Sequence, residues 1–331
     1  MVKPALLITI GDYNGIGPEL ALKSAQDPSI RRVCTPVLVG PGAVFEETAR
    51  RIRIRTPFRK TNLTVFPKGS IPIVDVGDAI GADIAYGAPT KSSGKNAGLA
   101  IERAVDICLQ GKAVAMVTAP VSKEGLALAG YAFPGQTEMV ALLSRSQKVA
   151  MMLIGPNMRI GLVTVHAPLR SVADQLSIEK IIEKVTIVYQ TLRADLGIRK
   201  PRVALLALNP HAGENGMIGT EEQDLILPAM RSLEQTGITA HGPFPADAFF
   251  GQHAYRSYDA VVAMYHDQGL IPLKMAGFET GVNYSAGLPI VRTSPDHGTA
   301  YDIAGKNKAS TASMVEAILL ACRIARQRQR P

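Results

Sequence analysis

Short apolar runs rich in β-branched residues recur along the chain, each giving way to a polar turn and then to helix-spaced apolar positions. The runs fall at 5–10 (ALLITI), 35–40 (TPVLVG), 71–76 (IPIVDV), 113–119 (AVAMVTA), 149–155 (VAMMLIG), 158–165 (MRIGLVTV), 202–209 (RVALLALN) and 258–265 (YDAVVAMY). Helical spacing covers 18–26, 96–110, 178–197, 221–237 and 313–329. Such alternation predicts α/β layers around a largely parallel or mixed sheet. Strands that are apolar on both faces are expected where helices cover both sides of the sheet. The first run, preceded by one Lys and followed by Asp12, reads as a strand and not as a signal peptide. Internal repeats and low-complexity linkers are missing, so domain limits must come from motif placement.

Composition narrows the class. A chain of 331 residues fits two domains at roughly 150 residues each. Hydrophobic residues at 47% and charged residues at 19% exclude disorder, collagen and coiled coil. Aromatics at 5% with no Trp argue against a base-stacking platform. No apolar run approaches the roughly 18 residues that span a bilayer. The formal charge of +8 is local: residues 50–60 hold six basic groups and 323–330 hold four, so the rest of the chain is slightly acidic. Two solvated basic patches are expected there, not the broad basic face of a duplex-binding protein. Cys34, Cys108 and Cys322 form no CxxC pair, which suggests a reducing compartment and three small core residues.

Candidate chemistry clusters after the strands. GDYNGIGPEL (11–20) joins the first strand to the first helix, with Gly15 and Gly17 expected to permit backbone angles that a Cβ would forbid and Pro18 suited to a first helical turn. Such a turn is expected to offer amides to an anion. GKN (94–96) lacks the Ser or Thr and the upstream Gly of a P-loop. Of six histidines, His166, His211 and His266 each follow a strand-like run, in VTVHAPLR, LLALNPHAGE and VVAMYHDQG. Carboxyl ends of strands form the ligand crevice of open α/β sheets, so the three imidazoles can converge on one divalent metal with positions left open. Lys274, Asn283 and Arg292 read as loop residues able to recognise phosphate or carboxylate, and Gln136 and Thr137 add polar donors at another loop. Residues 296–306 (DHGTAYDIAGK) form a Gly-punctuated loop leading into the last helix.

Taken in order, GD-x-x-GIGPE, GQTE, VHAPLR, NPHAGE-x-x-x-x-GTEE, PADAFF, MYHDQGL, GVN, GLP-x-x-RTS-x-DHGTA and DIAGK resemble the 4-hydroxythreonine-4-phosphate dehydrogenase family. The first and last pieces also echo the wider isocitrate and isopropylmalate dehydrogenase superfamily. The resemblance implies two α/β/α domains with a cleft between them. Residues 1–130 plus 300–331 would form the nucleotide-side domain, and 131–299 the metal, substrate and dimerisation domain. It implies that His166, His211 and His266 ligate zinc, cobalt or magnesium, with His266 supplied by the partner subunit of a homodimer. Gln136, Thr137, Lys274, Asn283 and Arg292 fall on substrate-binding positions. Gly15, Gly17, His297, Gly298 and Asp302 fall at the NAD or NADP site, and Asp247 and Lys123 are candidates for the general base. The implied reaction is cytoplasmic oxidation of 4-phosphooxy-L-threonine to a β-keto acid. That acid decarboxylates to 3-amino-2-oxopropyl phosphate in pyridoxal 5′-phosphate biosynthesis.

Two departures stand out. Gln136 replaces the family's usual His, and Tyr13-Asn14 replaces a common Pro-Ala. They leave open the same chemistry on 4-phospho-D-threonate, on D-erythronate or on a cis-dihydrodiol carboxylate. A transferase of phosphotransacetylase type needs no metal, and the strand-end histidines speak against it. A nucleic-acid binder using residues 50–60 would want aromatic interleaving that the sequence lacks. Neither nucleic acid nor membrane is an expected partner; a small phosphorylated hydroxy acid is.

Overall fold

The structure, a computed structural model, describes residues 3–66, 68–133, 135–277 and 280–329. The chain packs as two compact units. Unit 1 comprises residues 1–147 and 288–326, and unit 2 comprises 148–287 together with the residues from 327 on. The limits expected at 130/131 and 299/300 fall inside unit 1, which therefore contains Gln136, Thr137 and Arg292. Among the described residues, no helix is long and apolar enough to cross a membrane.

Unit 1 is built on β1 (Ala5–Thr9), β2 (Thr35–Gly40), β3 (Phe58–Lys60), β4 (Ile71–Asp75) and β5 (Ala115–Thr118). Unit 2 follows with β6 (Ala150–Ile154), β7 (Arg159–Leu162), β8 (Val203–Leu206), β9 (Ala240–Phe244), β10 (Ala260–Ala263) and β11 (Val282–Ala286). The chain then returns to unit 1 with β12 (Arg292–Pro295). In unit 1 the spatial order is β3-β4-β2-β1-β5-β12, and every pairing is parallel. In unit 2 it is β11-β6-β7-β10-β8-β9; β6 runs antiparallel to both neighbours, whereas β7, β10, β8 and β9 run parallel. Leu6, Leu7 and Ile8 in β1 and Val203 to Leu206 in β8 are fully buried, as expected of strands covered on both faces.

Helices begin where the sequence offers caps. In unit 1, α1 (Gly17–Gln26) has Pro18 in its first turn, and α2 (Pro28–Val33) is capped by Asp27 accepting from Ser29 N at 2.7 Å. After α3 (Gly42–Arg51), a Thr90–Ser93 capping box starts α4 (Lys91–Leu109), and Ser122 caps α5 (Lys123–Leu128). The unit continues with α6 (Gln136–Leu143). Unit 2 contains α7 (Ile178–Ala194), capped by Ser177, then α8 (Leu227–Gln235), α9 (Ala246–Gly251) and α10 (His266–Gly277). The last helix is α11 (Ala312–Arg328). The GKN stretch lies inside α4 and forms no phosphate loop.

The basic segments are more engaged than solvated patches would be. Arg51 donates to Gly305 O at 2.7 Å and stacks over the Tyr86 ring, while Lys60 pairs with Asp75. In the tail, Arg326 donates to Val33 O, and Arg328 Nε and Nη2 grip the buried carboxylate of Asp195 at 2.6 and 3.1 Å. That carboxylate also accepts from Tyr284 OH. A buried acceptor recruits Arg328, a feature that composition does not show. Arg330 lies outside the described residues.

Candidate active site

Three adjacent parallel strands of unit 2, in the order β7-β10-β8, end at the three expected imidazoles. His166 follows β7, His266 opens α10 directly after β10, and His211 sits in the turn after β8. Because the strands run the same way, their carboxyl ends share one edge. Buried polar groups lock those ends together. Thr164 N and Oγ1 both donate to Met264 O, at 3.1 and 2.7 Å. The buried Gln268 side chain donates to Ala207 O at 2.6 Å and accepts from Met264 N at 2.7 Å, stapling the end of β8 to that of β10. Replacing it by an apolar residue would leave two buried backbone groups unpaired, at about 1–3 kcal/mol each.

The rings of His166 and His266 lie 6.0 Å apart, centroid to centroid, tilted by 39°. They face an open concavity of about 420 Å³ shared with Val165, Leu169, Val172, Tyr265 and Asp267. His266 Nδ1 pairs with Asp267 Oδ1 at 2.7 Å, which leaves Nε2 as the ring's other donor atom. A carboxylate on the far ring nitrogen is the usual device for orienting a metal-binding imidazole. His211 does not join the pair. Among the described residues, no group of three His, Cys, Asp or Glu within one chain is placed to hold a metal ion.

His211 stands on unusual backbone. Residues 211–215 all have left-handed angles, with φ of 52°, 52°, 76°, 42° and 56°. Only Gly213 adopts such angles freely; each of the others is disfavoured, Asn least, by about 1–2 kcal/mol. Backbone held this way signals a constraint from its surroundings, and such constraints concentrate at functional sites.

Large apolar side chains following each histidine in sequence face solvent. Leu169 follows His166, Met217 and Ile218 follow His211, and Ile271 and Met275 lie on the helix that His266 opens. Met217 and Met275 are 84% and 85% exposed. Lys274, expected in a loop, is half-buried within α10, and Asn283 is a residue of β11 whose Oδ1 is buried and unpaired. Asp247 lies exposed in the first turn of α9.

Unit 1 holds the second cluster. Arg292, also expected in a loop, is instead the first residue of β12, paired in register with Met116, and only 2% exposed. Its Nε and Nη2 donate to Thr118 Oγ1 at 3.1 and 2.6 Å, Nη1 to Thr137 Oγ1 at 3.3 Å and Nη2 to Gln136 Oε1 at 3.2 Å. Gln136 and Thr137 form the first turn of α6 and not a loop. Burial pulls the guanidinium down to about 10, against the opposing pull of the Glu138 carboxylate. It stays cationic at neutral pH, and an arriving anion would relieve its desolvation.

The N-terminal loop packs against residues 296–306 in the same unit. Ile16 N donates to Thr299 O, and Tyr301 OH donates to Asp12 Oδ2 at 2.8 Å. A Cβ on Gly15 would meet Thr299 O at 2.6 Å, and one on Gly17 would meet Ile10 O at 2.3 Å. Both glycines serve close packing. The amides of Asn14, Gly15 and Ile16 already donate to Asp12 Oδ1, Asp12 O and Thr299 O, so this turn is not the open anion cradle that its glycines suggest. Burial raises the Asp12 carboxyl and lifts the Tyr301 phenol to about 12. Neither residue was singled out from the sequence, although Asp12 lies in the GD-x-x-GIGPE piece and Tyr301 in the loop 296–306. His297 Nδ1 contacts Gly298 O at 3.1 Å, while Gly298, Asp302 and Lys123 are exposed.

A family model described as pyridoxal phosphate biosynthetic protein PdxA matches residues 32–321. The 4-hydroxythreonine-4-phosphate dehydrogenase of Geobacter metallireducens is 44% identical, across 98% of this chain and 96% of its own. The crystal structure of the enzyme of that name from Klebsiella pneumoniae is 38% identical, covers 98% of both chains and superposes with a TM-score of 0.88. A terephthalate 1,2-cis-dihydrodioldehydrogenase from Burkholderia xenovorans covers 97% of this chain and 98% of its own at 29% identity, with a TM-score of 0.67.

Proposed function

The chain belongs to the pyridoxal phosphate biosynthetic protein PdxA family, and from that premise we propose that it is an NAD- or NADP-linked dehydrogenase of 4-hydroxythreonine 4-phosphate, active as a homodimer with one divalent metal per site. The observation that carries the proposal is the placement of His166, His266 and His211 at the carboxyl ends of three adjacent parallel strands. The relatives that share its name are more similar to this chain than the dihydrodiol enzyme is, which favours the phosphorylated amino acid as substrate.

The donor set fits a metal: neutral imidazoles, one with its second nitrogen held by a carboxylate. Nitrogen ligands suit zinc or cobalt better than magnesium. Since one chain does not gather the three rings, a second copy completes the set; with His266 as the ligand that crosses, each chain's His266 would serve the partner's metal and not one shared with the His166 ring 6.0 Å away in its own chain. The exposed apolar side chains following each histidine in sequence are the surface such a copy would cover.

A metal held by His166, His211 and His266 would supply Lewis acidity to the substrate's secondary hydroxyl, and a nicotinamide would serve as hydride acceptor. Arg292, steadied by Thr118, Thr137 and Gln136, binds the phosphate remote from the reacting carbon, and Lys274 and Asn283 bind the substrate's other polar groups. Asp247 and Lys123 are the candidates for taking up the hydroxyl proton. Loss of a hydride and a proton gives a β-keto acid, which loses CO₂. His297, Gly298 and Asp302, packed against the Gly15–Gly17 turn, contact the dinucleotide.

The test is His211→Ala, followed by zinc titration and turnover. We expect loss of metal binding and of NAD(P)H formation with the far-UV spectrum unchanged. Wild-type activity in that variant would refute the three-imidazole centre.

A further inference from the structure

The left-handed turn that carries His211 is anchored by one side chain that the mechanism does not use. Glu222 is 2% exposed and begins a π-helical segment, Glu222–Ile226, leading into α8. One of its carboxylate oxygens, Oε1, accepts from Leu208 N and Asn209 N, both at 2.8 Å, on the two residues preceding the turn. The other, Oε2, accepts from Asn209 Nδ2 at 3.0 Å. It also lies against Gly213, where a Cβ would stand 2.6 Å from it. Asn209 Nδ2 is shared with Glu221 Oε2 at 2.7 Å. Thus one buried carboxylate touches both the entry of the turn and its middle residue. The exit closes through Met217 N donating to Glu214 O and Ile218 N donating to Gly213 O. A π segment at this point fits a pattern in which such irregular turns accompany functional positions.

We propose that Glu222 is a positioning residue for His211: it holds residues 211–215 in their left-handed conformation and so fixes the imidazole for metal binding. The proposal rests on the reading of His211 as a ligand. The charge itself is required, because Asn209 cannot adapt to a neutral amide. In Glu222→Gln, an Nε2 in place of Oε2 would face the Asn209 Nδ2 donor. Flipping the Asn209 amide would relieve that clash only by turning its Oδ1 toward the Glu221 carboxylate. At Gly213, added bulk acts on the same contact from the other side.

The experiment is direct titration of the metal-free full chain with Zn²⁺ by calorimetry, and with Co²⁺ by its visible absorption, which reports nitrogen coordination. Glu222→Gln and Gly213→Ala should each weaken affinity by about 10- to 100-fold, the range for residues that orient a metal ligand. The double variant should lose little more than the worse single one, since both act on one element. Leu233→Ala, which opens the core under the same helix α8, should keep wild-type affinity despite lower thermal stability. Affinity in Glu222→Gln within threefold of wild type overturns the proposal, and so does an equal loss in Leu233→Ala. Should Glu222→Gln fail to fold, Glu222→Asp, which keeps the charge but shortens its reach, decides by the same thresholds; Gly213→Ala cannot, because a Cβ there also meets Gly219 O at 2.9 Å on left-handed backbone. His211→Ala separates the two levels. Undiminished binding there refutes the ligand reading, whereas loss there beside full affinity in Glu222→Gln refutes only the positioning role.

Discussion

Arg292 offers the sharpest separation of a functional residue from a structural one. Its guanidinium is fully buried, and three of its nitrogens are held by Thr118, Thr137 and Gln136. Lysine at 292 keeps the charge but replaces the planar fork with a single ammonium, so it cannot hold these partners and a phosphate together. Loss of one charge-assisted hydrogen bond is worth about 1.5–3 kcal/mol, or roughly a 10- to 150-fold rise in KM. Arg292→Met goes further by removing the charge while keeping much of the volume. Removing a desolvated charge whose partners Thr118, Thr137 and Gln136 are neutral relieves its burial cost, offset here by the acceptors it strands. The metal-loaded variants should therefore melt close to wild type while KM for the phosphorylated substrate climbs steeply. The assay pairs initial rates, followed as NAD(P)H absorbance on phosphorylated and dephosphorylated substrate, with melting curves in added inorganic phosphate. Phosphate should raise the wild-type melting temperature and leave that of Arg292→Met unmoved. Equal losses on both substrates, or a cooperative collapse of Arg292→Met with KM unchanged, would show that the arginine serves the fold alone.

Three further outcomes follow from other contacts. Arg328→Ala should destabilise the protein by about 2–4 kcal/mol, because it leaves the Asp195 carboxylate buried beside Tyr284; calorimetry of Arg328→Ala, Asp195→Asn and the double variant should show the double losing less than the sum. Burial raises the Asp12 carboxyl above its unfolded value, so its contribution to stability is full below the unfolded value and is lost as pH rises through the folded one. Asp12→Asn keeps an oxygen for Asn14 N, and urea unfolding should find it level with wild type in acid and more stable near neutrality; lower stability at every pH would contradict this. If the proposed dimer covers this face, Met217→Glu, at an 84% exposed position, should shift light scattering from dimer to monomer and weaken zinc binding in parallel; a variant that still dimerises would place Met217 outside any such interface.

Legibility followed burial. Strands that are apolar throughout, such as β1 and β8, are evident because burial on both faces demands an unbroken run. By contrast, β12 (RTSP), β11 (VNYSA), β9 (AHGPF) and β3 (FRK) carry little of that signature. Their pairing is decided by neighbours distant in sequence, as Arg292 beside Met116 shows. That is why Arg292 and Asn283 read as loop residues. The helix α10 was hidden for a related reason: Gly269, Pro272 and Gly277 are poor helix formers, yet the segment packs on β7 and β10, where Gly269 comes so close that a Cβ would meet Ile160 at 2.5 Å. The role of Glu222 was illegible altogether, since nothing in GTEE reveals which of its two acids turns inward.

The histidines were legible because each repeats one local context, an apolar run followed by a turn, but that context alone does not bring them together. Had β7, β8 and β10 alternated in direction, the same residues would lie on opposite edges of the sheet. Parallel order is what helical crossovers such as α7, between β7 and β8, impose. The spatial order β7-β10-β8 then fixes which rings can meet. Neighbouring strands lie about 4.8 Å apart, so His166 and His266 start from adjacent ends, whereas His211 starts two strands, or about 10 Å, from His166. The 6.0 Å between the first two rings fits that adjacency; β8 borders β10 as closely as β7 does, so the absence of a three-residue metal group within one chain among the described residues reflects the turn after β8 and not strand spacing alone. A strained turn on the outer of the three strands and a second copy of the chain are the two means left for closing the gap. The contacts of Glu222 and the exposed Met217 bear on one each. Metal affinity in this protein should accordingly depend on both chain association and the backbone at 211–215, and a variant that is monomeric yet binds zinc at full strength would break that argument.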